Sequence, residues 1–320
     1  MGAGGTFRGI KKMGRKRRGK PIHGWLVIDK PSGISSNGIV GRVRRITGAA
    51  KVGHGGTLDP LATGLLPLAL GEATKTVSYV MEGSKKYWFT IRWGEARNTD
   101  DAEGTVTGTS DVRPTKVQIV AVLDRFIGDI EQVPPVFSAI KVDGKRAYEL
   151  ARADQAPEMK SRIVHIENLR LFDMPNADHA VFEVTSGKGV YMRSLARDIA
   201  VSLATLGYVS ALRRVAVGPF DENDAISLDK LESLGHSAPL LDQLLPVETV
   251  LDDIPALALT EIEARKLRRG QAVPVLPVAN RSPFKNISQG DVVCAMAEGR
   301  LVALAKIKGG EIRPFRVMNF

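Results

Sequence analysis

The chain reads as an α+β protein: a central mixed, largely antiparallel sheet flanked by helices, then a small β-rich C-terminal module. Three observations predict this. Segments with strand composition recur without the regular strand–helix alternation of a doubly wound fold. Several helical patterns carry a single apolar face. Beyond a stretch holding Pro239, Pro246 and Pro255, the chain turns to one capped helix and short strands.

The elements follow in order. Trp25-Leu26-Val27-Ile28 is the apolar run of a buried strand, closed by the turn Asp29-Lys30-Pro31-Ser32-Gly33. Ser35 or Ser36 caps a helix whose Ile39, Val40, Val43 and Ile46 share one face, with Arg42, Arg44 and Arg45 largely off it. Leu65 to Leu70 is a second buried strand, followed by a helix from about Glu72 to Met81. Tyr87, Phe89, Ile91 and Trp93 alternate along Lys86–Trp93, the period of a half-buried strand. An amphipathic helix is predicted over 115–127. Residues 130–160 are basic, irregular and poor in core residues, the character of a functional loop. Strands over 163–172 and 179–186, a helix from about Tyr191 and a strand over 212–217 complete the larger domain, 21–250. Residues 225–250 read as a connection. Thr260–Gly270 is a capped helix, and Val292–Ala297, Leu301–Lys306 and Arg313–Met318 are strands of the module 251–320.

Composition narrows the class. With 320 residues, 43% hydrophobic and 25% charged, the chain can bury a sizeable core. No apolar run approaches the roughly 20 residues of a membrane span. A single Cys294 excludes an internal disulfide, and five scattered histidines without Cys-x-x-Cys argue against a zinc site. The expectation is a cytoplasmic protein in a reducing compartment, without metal or other cofactor. The net charge of +10 is concentrated in residues 1–20, which hold Arg8, Lys11, Lys12, Arg15, Lys16, Arg17, Arg18 and Lys20 and no acid. This tail reads as disordered and drawn to polyphosphate, or as a solubilising leader with Met13 as an alternative start.

The most informative segment is Gly53-His54-Gly55-Gly56-Thr57-Leu58-Asp59-Pro60-Leu61-Ala62-Thr63-Gly64-Leu65-Leu66. It sets one carboxylate, Asp59, in a glycine-rich loop against leucines. A carboxylate there is costly unless a cation pairs with it or it does chemistry. The bland alternative is a helix start, with Asp59 as N-cap and Pro60 at the first helical position. No Gly-Lys-Ser/Thr follows, so this is not a phosphate-binding P-loop.

In these residues and in several separated motifs the chain resembles the bacterial tRNA pseudouridine-55 synthases, the TruB family. The resemblance spans about residues 23–220. Its motifs are Gly24-Trp-Leu-Val-Ile-Asp-Lys-Pro-Ser-Gly33, the Asp59 loop, Gly71-Glu-Ala-Thr-Lys75, Lys86-Tyr87, Gln132-Val-Pro-Pro-Val-Phe-Ser-Ala-Ile-Lys141, Gly189-Val-Tyr-Met-Arg193-Ser-Leu-Ala-Arg-Asp198 and Leu212-Arg-Arg214. Residues 255–320 are more weakly similar to the family's PUA-type RNA-binding tail. The resemblance implies the pseudouridine synthase fold and a cofactor-free isomerisation: the N-glycosidic bond of a T-loop uridine breaks, the uracil rotates, and it rejoins through carbon.

By resemblance Asp59 is the nucleophile, with attack on base C6 or ribose C1′ left open. Arg193 supplies its countercharge, and Tyr87 stacks on the everted uracil and handles protons. His54 contacts RNA near that base, Leu212 lines the pocket, and Lys30 organises its floor. Lys141, Lys145 and Arg146 are expected to clamp the T arm of tRNA through phosphates. Four of them have a plainer reading on sequence alone: an ordinary salt bridge or helix-face residue for Arg193, core positions for Tyr87 and Leu212, a surface loop group for His54. The expected partner is tRNA, bound by a stand-alone monomer. A tRNA-folding chaperone and a guide-RNA-dependent synthase of the dyskerin type are the competing readings.

Overall fold

The computed structural model describes residues 19–142, 144–153, 155–235, 238–282 and 287–320. The basic tail lies outside them up to residue 18, whereas Lys20 already belongs to the fold and bridges to Ala49.

A nine-stranded sheet organises the larger part. Its order runs Ala225–Ser227, Gly24–Lys30, Thr63–Leu70, Gly207–Val217, Lys85–Trp93, His179–Ser186, Arg162–Asn176 and Gly128–Gln132, with Val52–His54 added on Thr63–Leu70. Two junctions are parallel, Gly24–Lys30 with Ala225–Ser227 and Thr63–Leu70 with Gly207–Val217; the rest are antiparallel. Both are short, and Gly64 makes the second possible: at φ +95 its missing side chain leaves room for the Arg214 backbone, whose oxygen would lie 2.1 Å from a Cβ.

Alternation along the strands separates two cores. Leu26, Ile28, Leu66, Leu68, Phe89, Ile91, Phe182 and Val184 face one way. Against them pack Ile39 and Val43 of helix Ser36–Thr47, Ile119 and Leu123 of Lys116–Leu123, and Met192, Leu195 and Ile199 of Met192–Ser202. The first helix starts where Ser35 accepts from the Gly38 N–H and stops at Gly48 (φ 68), the expected limits for its apolar stripe. On the other face Trp25, Val27, Leu65 and Ala69 join Val217, Phe220, Leu251, Leu301, Leu304 and Met318 in a second core. The C-terminal module therefore shares its interior with the sheet.

That module holds a five-stranded sheet in the order Ala256–Ala258, Val292–Ala297, Arg300–Lys308, Glu311–Val317 and Val273–Pro274. Helix Glu261–Arg268 covers it, opened by a Thr260–Glu263 capping box.

Several expectations are corrected. Asp59-Pro60 starts no helix: Asp59 to Ala62 is an irregular turn leading directly into Thr63–Leu70, because Gly33, Ser36 and Lys30 take up the loop's backbone groups first. The predicted helix at 72–81 is a 3-10 turn, Gly71–Lys75, then a short helix, Val77–Glu82. The 115–127 helix ends at Leu123 and leaves Val117 and Val120 exposed, so its apolar residues encircle it rather than form one stripe. The 225–250 stretch is no mere connection, since Ile226, Leu228, Leu231 and Leu240 fill the first core. The 130–160 segment contributes a sheet strand, Gly128–Gln132, a small ribbon, Lys141–Val142 with Lys145–Arg146, and helix Ala147–Arg152 with Ala147 and Ala151 buried.

Candidate active site

A cleft of about 1280 Å³ opens where the first core ends, between the Asp59 loop, helix Met192–Ser202 and the Phe137–Arg152 segment. Among its lining are Asp59, Tyr87, Arg193, His54 and Leu212, brought together from separate elements.

The Asp59 loop is held by side chains that saturate its backbone. Ser36 Oγ donates to Leu58 O at 2.9 Å and accepts from Leu58 N at 2.8 Å. Ser32 Oγ donates to Leu61 O, and the Gly33 N–H to Pro60 O. Lys30, wholly buried, spends all three ammonium hydrogens on Pro31 O, Ile34 O and Pro60 O at 2.8–3.0 Å. Burial pulls its pKa down to about 8 against the attraction of Asp59. Lys30 is thus a clasp that also places a positive charge under the loop.

Asp59 keeps 31% of its side-chain surface open toward the cleft, while Arg193 keeps only 5% of its own. Arg193 Nε stands 2.9 Å from Asp59 Oδ2, too bent for a good hydrogen bond, so the pairing is chiefly Coulombic. The other guanidinium nitrogens donate to Thr99 O at 3.1 Å and Phe137 O at 3.0 Å, fixing the fork. Desolvation pushes the Asp59 carboxyl above the ordinary carboxylate range; Arg193 opposes this and Asp101 reinforces it.

Asp101 was missed by sequence reasoning. It is buried, lies 3.5 Å from Arg193 Nη1, and is oriented by Thr99 Oγ1 and the Glu103 N–H. One guanidinium therefore serves two carboxylates. The sequence signal was the run Thr99-Asp100-Asp101, indistinguishable from an exposed turn until Arg193 is placed beside it. Arg214 and Lys85, also buried and cleft-lining, were missed as site residues.

Tyr87, half-buried, projects from Lys85–Trp93 opposite Arg214. His54 ends a short strand, its Nδ1 buried without a hydrogen-bond partner among the described residues, and burial together with Arg214 lowers its pKa. Leu212 is buried and belongs to both core and cleft. Of the three expected clamp residues only Arg146 lines the cleft, donating to Ala139 O at 3.0 Å; Lys141 and Lys145 stand exposed on the ribbon outside that lining. Among the described residues no cluster of His, Cys, Asp and Glu could hold a metal, and no helix is long and apolar enough to cross a membrane.

At the cleft the buried Arg193 guanidinium stands between Asp59 and Asp101, with Tyr87 in the same lining, and the mixed sheet that carries them has the pseudouridine synthase fold. The sequence model described as TruB family pseudouridylate synthase (N terminal domain) matches residues 44–192, and that of the tRNA pseudouridylate synthase B C-terminal domain matches 193–252; the chain belongs to this family. It is 60% identical over 307 residues to "tRNA pseudouridine synthase B" of Rhodospirillum rubrum, covering 96% of this chain and 100% of that protein. The same-named protein of Gluconacetobacter diazotrophicus is 55% identical over 95% of this chain and 100% of its own. Among solved structures, a protein of a Cbf5-Nop10-Gar1 complex matches with a TM-score of 0.68 at 25% identity, over 93% of this chain and 84% of its own. A chain of an H/ACA ribonucleoprotein bound to a substrate RNA, at 22% identity and TM-score 0.69 over 96% of this chain and 92% of its own, shares the fold.

Proposed function

We propose that the protein converts the T-loop uridine-55 of tRNA to pseudouridine, acting alone and as a monomer, with Asp59 as nucleophile. The Asp59–Arg193 pair at the floor of an open cleft carries this reading. An ionised carboxylate in an apolar setting needs a fixed cation, and Arg193 is immobilised by two backbone carbonyls before any substrate arrives. The reaction is an isomerisation, so the carboxylate leaves as it entered once the new C–C bond forms.

The target base must leave its stack to reach Asp59, at a cost of a few kcal/mol that stacking on Tyr87 offsets. Leu212 closes the apolar side of the pocket, and His54 meets the RNA at the rim. Arg146, with Lys141 and Lys145 further out, would track phosphates rather than read bases. The PUA-like module, 251–320, would add contacts away from the chemistry. A guide-dependent mode is less well supported: likeness to the H/ACA chains is at 22–25% identity, against 60% for the bacterial enzyme.

The test is to map pseudouridine in unmodified tRNA transcript after incubation with purified wild-type or Asp59→Asn protein. Wild type alone should modify one T-loop uridine; the variant should make no product while its tRNA affinity stays within about tenfold. Modification by Asp59→Asn would remove the nucleophile, and modification elsewhere would remove the site assignment.

A further inference from the structure

Two cations in the cleft wall have no acidic partner among the described residues. Arg214 is 1% exposed and Lys85 7%, and no carboxylate of the described residues lies within ion-pair distance of either. A buried charge left without a countercharge is costly, so the arrangement persists only if hydrogen bonds or a ligand compensate it.

Lys30 shows what full compensation looks like, with three donors and three carbonyls. Lys85 and Arg214 fall short of that. Lys85 Nζ donates to Met81 O and Gly83 O, leaving one ammonium hydrogen over. Arg214 donates from Nε to Leu65 O at 2.7 Å and from Nη2 to Gly56 O at 3.1 Å, while Nη1 meets no acceptor among the described residues. Glu82, whose charge acts on Lys85 from outside ion-pair distance, is engaged by Lys188 at the rim. The deficit is visible in Lys85 itself, whose pKa is pulled down to about 8 by burial and then by Arg214.

Placement adds direction. Lys85 lies two residues before Tyr87 on one strand, and Arg214 faces Tyr87 from the next. All three line the cleft, as does His54, whose buried Nδ1 has no partner among the described residues. We propose that Lys85 and Arg214 form a phosphodiester seat beside Tyr87, holding one backbone phosphate of the RNA next to the everted nucleoside. An anion there meets a spare ammonium hydrogen and a spare guanidinium nitrogen, both already fixed by carbonyls. Little ordering entropy is left to lose on binding. The seat anchors the RNA backbone beside the cleft and is blind to base identity. Lys85 and Arg214 are therefore positioning residues, and the inference rests on the RNA-isomerase reading above.

The test uses a T-arm RNA stem-loop in which each linkage flanking the target uridine is replaced, one at a time, by an uncharged methylphosphonate. With wild-type protein one linkage should raise KM about tenfold, with kcat little changed. Lys85→Met should raise KM on the all-phosphate RNA by a similar factor, lower the slope of log affinity against log salt by ~1, and show no further loss with that methylphosphonate. The seat is refuted if no flanking linkage affects wild-type KM, a result that needs no variant to fold, or if variant and methylphosphonate effects multiply. Failure of wild type to modify even the all-phosphate RNA would instead overturn the isomerase reading, and the seat with it.

Discussion

The two faces of the central sheet are built from the same strands and end differently. On the face of Trp25, Val27 and Leu65 the apolar contacts continue without interruption into Leu301, Leu304 and Met318, so the C-terminal module is sealed on. On the face of Ile28, Phe89 and Leu212 the helices stop short, and the core gives way to a cleft holding Asp59, Arg193, Arg214 and Lys85. One face spends its alternation on stability. The other leaves buried charges only partly compensated, the pattern that marks it as the candidate site. Mutations on the two faces should therefore separate cleanly into losses of rate and losses of stability.

The largest expected loss is on the cleft face. Arg193→Ala removes the fixed cation of Asp59 and leaves Asp101 without its partner, and should lower kcat by roughly 10²–10³. A near-normal single-turnover rate would dissolve the pairing argument. On the sealed face Leu304→Ala, at a site with no exposure, should cost about 2–5 kcal/mol in denaturant unfolding while kcat per folded molecule holds steady. If kcat falls in proportion, the two faces are coupled and the contrast fails. The smallest effect concerns pH. Asp59 is raised by desolvation and by Asp101, so its protonated form persists to higher pH than in an exposed aspartate. The acid limb of kcat/KM should lie above the ordinary value of about 3.9, and Asp101→Asn, by removing a negative neighbour, should move it down. An upward movement would contradict the sign.

Much of the fold was legible in the chain. The apolar run at Trp25–Ile28, the alternation of Tyr87, Phe89, Ile91 and Trp93, and the Thr260–Glu263 capping box are local signals, and each matches its element. The site was legible mostly by resemblance, since periodicity alone made Tyr87 and Leu212 core residues, and Leu212 is indeed both core and cleft lining. The Asp59-Pro60 helix start failed because a local capping preference of about 1 kcal/mol yields to several tertiary hydrogen bonds from Ser36, Gly33 and Lys30. The 225–250 stretch was misread because its prolines suggested a connection, whereas Ile226, Leu228, Leu231 and Leu240 find their burial only against the sheet edge they cover.

Alternation, turn chemistry and caps act between residues near in sequence, so the amino-acid order by itself determined the strands, the principal helices and the α+β class. Charge compensation acts across space. Whether Lys30 is a saturated clasp and Lys85 an open donor depends on which carbonyls distant segments bring within 3 Å. Only the tertiary structure decided that, along with the sharing of Arg193 between Asp59 and Asp101, because the energy of a buried charge is set by whatever surrounds it after folding.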